Sequence, residues 1–122
     1  MTLFDERERA FENLFAHEEE LRFRVLARRN DLFARWAAEQ LELRRSERQA
    51  YVRSFVHGVV QPQSDQALIE RVRADFVADG IDASEERIRA ALMAAAMQAA
   101  RQVRGEIRAE AEPVTETAEA SK

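Results

Sequence analysis

Few side chains in this sequence have the types that usually carry out chemistry, and none is grouped for it. The two histidines are His17 and His57, and there is no cysteine. Neither histidine has neighbours at metal-ligand spacing. His57 stands beside Gly58 near the end of an apolar helix face, and reads as a helix-end or partly buried imidazole. His17 precedes Glu18, so a pH-sensitive pair at a hinge is the functional reading open to it. Gly58, Gly80 and Gly105 are isolated, which excludes a glycine-rich phosphate loop. Charged residues are plentiful, but at helix-surface spacings such as Glu8–Glu12 and Glu20–Arg24. No catalytic residue, metal ligand or cofactor is expected, and the chain does not read as an enzyme.

The stretch RRNDLFARW mixes arginine with aromatics, a combination met at nucleic-acid sites. Acids flank it, helix periodicity turns Leu32 and Trp36 inward, and the net charge is −4. Nucleic acid, which favours a basic surface, is therefore not an expected partner. A basic pocket for a small anion around Arg28, Arg29 or Arg73 stays open. It supports one alternative function, a small nucleotide- or ligand-sensing helical bundle.

The elements that would position such residues are helical. The chain has 122 residues, enough for one domain with a modest core, and only 3 Gly and 2 Pro among abundant Ala, Glu, Arg and Leu. The expected fold class is all-α. The absence of cysteine suits a reducing cytosol. The early acids of MTLFDERERAF are unlike a secretory signal, and no stretch approaches the length of a membrane span.

Periodicity predicts a first helix from Thr2, as N-cap with Asp5 three residues on, to about Ala16. A kink or break is expected within AHEEE, 16–20, because three acids suit the start of a second helix; one long helix is the alternative, since AHEEE has no breaker and the heptad phase continues through Leu14, Leu21 and Val25. That helix runs from about Glu18 to Leu43, with Leu21, Val25, Leu32, Trp36 and Leu43 inward and Phe33 and Leu41 flanking. Ser46 caps a third helix to Val60, with Tyr51, Val52, Phe55, Val56 and Val59 inward. After the QPQSD loop, a helix from Ser64 or Asp65 carries Leu68, Ile69, Val72 and Phe76 and ends at Gly80. The last helix enters near Ser84 and carries Ile88, Leu92, Ala95, Ala99 and Val103, with Gly105 weakening its end. Glu110–Lys122 reads as a disordered acidic tail. The division is 1–17, an N-terminal helix; 18–109, a bundle; and 110–122, the tail.

The segment FDERERAFENLF sets Phe4, Phe11, Leu14 and Phe15 on one helix face among charged residues. Periodicity alone favours the core for such a stripe. The competing reading is a helix that docks in a partner's groove. A third, a purely structural bundle dimerising through its stripes, would make helicity depend on dilution.

FDERERAFE, FAHEEELRF, ARRN, WAAE, VRAD, GID and IR occur in this order between Phe4 and Arg89, most densely from Phe4 to Ala38. The ordered set resembles the alphaproteobacterial zeta-subunit family, inhibitors of the F-type ATP synthase. The resemblance implies a four-helix-type bundle preceded by a mobile N-terminal segment. That segment would enter an α/β catalytic interface of F1 against the γ subunit and block rotation in the hydrolysis direction while sparing synthesis. Carried onto this chain, the partner-binding residues are Thr2, Leu3, Phe4, Asp5, Arg7, Glu8, Arg9, Phe11, Glu12, Leu14 and Phe15. A monomer when free is implied, cytoplasmic and peripheral to the inner membrane through the synthase. RRSERQAY is more basic than the usual acidic, glycine-containing turn, QPQSDQ replaces a more acidic loop, and the tail after Glu110 is longer than usual.

Overall fold

The computed structural model describes residues 3–57 and 63–111, without the side chains of Phe11, Phe15 and His57. Four helices follow one another: α1 Leu3–Gln40, α2 Arg45–His57, α3 Asp65–Ala78 and α4 Glu85–Ala111. No strand occurs among the described residues. Helix α1 packs against α4 and α2, and α3 packs against α4.

The expected break at 16–20 does not occur, since α1 is one helix of 38 residues. Residues 3–40 contain neither Gly nor Pro. The preference of acids for a helix N-terminus is worth about 0.3–1 kcal/mol. A break would instead strand up to four carbonyls and four N–H groups without helical partners. The weaker effect loses. Glu19 also finds a cation within the continuous helix, Arg22 at 3.3 Å.

The buried side of α1 is Phe33, Ala34, Ala37 and Ala38. Leu32, Trp36, Leu41 and Leu43 are half-buried at its margins, so Phe33 is central where the sequence placed it on the flank. Two helices, α2 and α4, lie on this side. They widen the buried arc beyond a single stripe, and the alanines admit them closely. The Phe33 ring stacks on Trp36 at 6.1 Å and meets Phe55 edge-on at 6.2 Å, while Trp36 lies 5.7 Å from Phe76. These rings tie α1 to α2 and α3.

Helix α2 buries Val52 and Phe55 and half-buries Tyr51, but Val56 is exposed, and Val59 lies outside the described residues. It begins at Arg45 rather than after a Ser46 cap, with the Arg48 amide donating to the Arg44 carbonyl. The Arg71 guanidinium stands 3.9 Å over the Phe55 ring and donates to Ser54 Oγ, joining α3 to α2. All four expected core residues of α3 and all five of α4 are buried. Ser64 and Ser84 cap α3 and α4 by accepting from the amides of Ala67 and Arg87. Gly105 does not end α4, which continues to Ala111 and takes in the first two residues of the expected tail. The rest of that tail lies outside the described residues.

Both α1 and α3 end by turning left-handed. Gly80, at φ 75°, lets the Ile81 amide reach the Phe76 carbonyl. Glu42 takes the same role at φ 54° without being glycine, and the Leu43 amide reaches the Ala38 carbonyl. Two stability predictions follow for urea denaturation. Glu42→Gly is expected to stabilise the fold by about 0.5–1 kcal/mol, relief of left-handed strain exceeding glycine's entropy. Phe33→Ala is expected to cost about 3–5 kcal/mol.

Candidate functional site

The site is built on the first half of α1. Arg24 donates to Glu106 and Glu110, each at 2.9 Å. One turn on, Arg28 donates to Gln102 at 2.9 Å and to Glu106 at 2.5 Å. Advancing four residues along α1 steps back four along α4, so the two helices run antiparallel in this register. Helix α4 ends at Ala111, just past Arg24's partners. From Leu3 to Glu20, every residue whose side chain is described is exposed. At 1.5 Å per residue this segment is roughly 27 Å long.

Its apolar side chains are bare. Phe4 is 75% exposed, Leu3 69% and Leu14 55%. Periodicity favoured the core for this stripe, and the described members do not enter it. The described part of α4 runs to Ala111, opposite Arg24, and among the described residues the buried ones on α1 begin only at Asn30. Phe4, Arg7, Glu8 and Glu12 line one shallow surface depression. Asp5 and Arg9 are also exposed on this segment. Phe11 and Phe15 are within the helix, but their side chains, and all of Thr2 with its proposed cap, lie outside the described residues.

Arg24 does not pair with Glu20, as local spacing suggested, because α4 presents two carboxylates to it. Those carboxylates, Glu110 first and Glu106 next, raise the Arg24 pKa, with burial opposing. The Glu106 carboxyl is held below its usual range, chiefly by the hydrogen bond from Arg28 and further by Arg24.

The anion pocket expected around Arg28, Arg29 or Arg73 is not assembled. Arg28 is taken by Glu106 and Gln102. Arg29 bonds Asp65 at 2.9 Å and the carbonyl oxygen of the buried Asn30 side chain. Arg73 stands 4.0 Å from Glu85. A different cleft, about 430 Å³ between α1 and α2, gathers Arg35, Arg45, Arg48 and Arg53 over Val52. Arg35 is paired with Asp31 at 2.8 Å and Arg48 lies 4.0 Å from Glu39. Arg45 and Arg53 have no ionic partner among the described residues. Sequence reasoning missed this cluster because its members come from two helices. RRSERQAYVR, noted as unusually basic, carried the available signal. His17 is exposed, and no group of three or more potential metal ligands occurs among the described residues.

A small helical protein with an exposed amphipathic helix has the form of a protein-binding regulator. Residues 1–102 match the family model described as ATPase inhibitor subunit zeta, and the chain belongs to that family. Its role is that of an ATPase inhibitor, regulatory rather than catalytic, and it associates with ATP synthase. No curated protein and no solved structure matches the chain. Among the described residues, no helix is long and apolar enough to cross a membrane.

The depressed Glu106 pKa sets a pH dependence. Because the folded value lies below the unfolded one, its stabilising contribution is complete above the unfolded carboxylate pKa of about 4.3. It is lost as pH falls through the folded value. Glu106→Gln is therefore expected to be less stable than wild type at pH 7 and equally stable once both are well below pH 4, as read from urea melts at the two extremes.

Proposed function

We propose that residues 2–17 form the inhibitory element and that it enters an α/β catalytic interface of F1, against the γ subunit. There it blocks rotation in the direction of ATP hydrolysis. The observation that carries this reading is the exposure of Leu3, Phe4 and Leu14 on a helical segment free of the bundle core. An amphipathic helix with anchors at such spacings is suited to a groove. Its length of roughly 24 Å lets it enter a deep cleft while the bundle stays outside. Phe4, Phe11, Leu14 and Phe15 would supply the desolvated anchors, with Thr2, Leu3, Asp5, Arg7, Glu8, Arg9 and Glu12 around them. Aromatic anchors of this kind commonly contribute ~2–4 kcal/mol each on truncation. The cost of immobilising its exposed side chains would be offset by burying this face.

Directionality would come from the partner. Rotation in the synthesis direction would open the occupied interface and eject the helix, and hydrolysis would tighten it. The bundle, 18–109, would remain at the mouth, on the cytoplasmic side and peripheral to the membrane through the synthase.

A second reading rests on the α1–α2 cleft, where Arg45 and Arg53 are unpaired among the described residues. It makes the protein a sensor of a nucleotide or another small anion. Tight, stoichiometric nucleotide binding that survives deletion of residues 2–17, with no effect of the protein on F1, would favour it.

The deciding measurement is ATP hydrolysis by F1 from the same organism. The full chain is expected to inhibit, and the chain lacking residues 2–17 is expected not to, although its bundle melts as before. Phe4→Ala and Phe11→Ala should each weaken inhibition by tenfold or more and shift bundle stability by no more than ~0.5 kcal/mol. No inhibition by the full chain, or equal inhibition by the truncated one, would reject the proposal.

A further inference from the structure

The ion pairs between α1 and α4 lie outside the bundle core. Among the described residues, the buried ones on α1 begin at Asn30, and those on α4 end at Val103. Yet the two helices stay together for two more turns, out to Arg24 and Glu110. Half-buried rather than buried apolar side chains, Leu21, Val25, Leu26 and Ala27 on α1 and Ile107 on α4, occupy this stretch. The polar contacts are shared ones. Glu106 uses one carboxylate oxygen for Arg24 and the other for Arg28, and Arg24 spans two successive turns of α4. The bare segment of α1 begins immediately beyond.

A helical segment has a costly start. The first hydrogen-bonded turn forms with a statistical weight of about 10⁻³, whereas each later residue adds to an existing turn at little cost. A segment that must become helical inside a partner meets this penalty in full if it is separate. It avoids the penalty if it continues a helix that is already formed. Glu18, Glu19 and Glu20 contain no breaker, so α1 passes through them without interruption.

We infer that Arg24, Arg28, Glu106 and Glu110 form a collar that keeps α1 helical at the point where the inhibitory segment begins, so that the segment meets F1 already continuous with the bundle's helix. These are positioning residues, and they need not touch F1. The inference rests on the inhibitory role proposed above. It adds that the bundle holds the inhibitory helix in its helical form and sets the rotational phase of the apolar face.

Four variants test it on the full chain. Glu20→Pro interrupts the helix between the collar and the segment, since proline removes an amide and clashes with the carbonyl four residues back. It is expected to raise the concentration for half-inhibition of F1 hydrolysis by about 100-fold, within the nucleation penalty, while Glu20→Ala stays within about twofold of wild type, alanine being a good helix former. Arg24→Glu should raise that concentration about 5–10-fold, because exposed ion pairs are individually modest. Inverting all four charges (Arg24→Glu, Arg28→Glu, Glu106→Arg, Glu110→Arg) should restore inhibition. In the free protein, hydrogen exchange at the amides of Leu21–Val25 should accelerate in Arg24→Glu, with amides around Phe33 unchanged. Wild-type inhibition by Glu20→Pro, or unchanged exchange in Arg24→Glu, would overturn the collar. If wild type fails to inhibit F1 but exchange responds as expected, the collar stands and the inhibitory reading falls.

Discussion

Phe33, Ala34, Ala37 and Ala38 bury one side of α1 against its neighbours, and that contact fixes the orientation of every other residue on the same helix. Successive residues on an α-helix are turned by 100°, so a helix with no break has a single phase along its whole length. Once the core has taken Phe33 and the alanines, Arg24 and Arg28 are directed at α4. The bare Phe4 and Leu14 also acquire a fixed angle relative to the bundle. Helix α1 therefore belongs to two surroundings, a packed core at its C-terminal half and open solvent at its N-terminal half.

The bundle is kept small by the same economy. Its core uses three buried phenylalanines and a run of alanines. The rings fill the space between α1, α2 and α3, and the alanines let α1 and α4 approach. Around this core, arginines reach across helix boundaries. Arg71 lies over Phe55 while bonding Ser54, and Tyr51 donates to Asp75 at 2.8 Å. Burial, reinforced by that carboxylate, raises the Tyr51 pKa and keeps the phenol protonated as a donor. Arg29 satisfies buried Asn30 and pairs with Asp65 at the start of α3. Individually these contacts are weak. Together they set the register between helices that apolar packing alone leaves loose.

Much of the fold was legible because its signals are local. The periodicities of α3 and α4 named all their buried residues, and Ser64, Ser84 and Gly80 marked helix ends through their own backbone chemistry. The left-handed turn at Glu42 had no glycine to announce it. The supposed break at 16–20 came from weighting acidic clustering above continuity. The heptad-like row through Leu32 and Trp36 suggested a narrow stripe, whereas two neighbouring helices required a wider one centred on Phe33.

The sequence by itself determined an all-α chain, its helix-forming segments, the amphipathic N-terminal face and membership of an inhibitor family. Each of these depends on residue type and short-range spacing. Only the tertiary structure decided whether the described residues of that face were covered, because coverage depends on which stretch of α1 the other helices lie against. It also decided which carboxylates Arg24 and Arg28 meet, more than seventy residues away, and that Arg35, Arg45, Arg48 and Arg53 share a cleft. Those facts arise from the antiparallel register of packed helices, which no local spacing along the chain encodes.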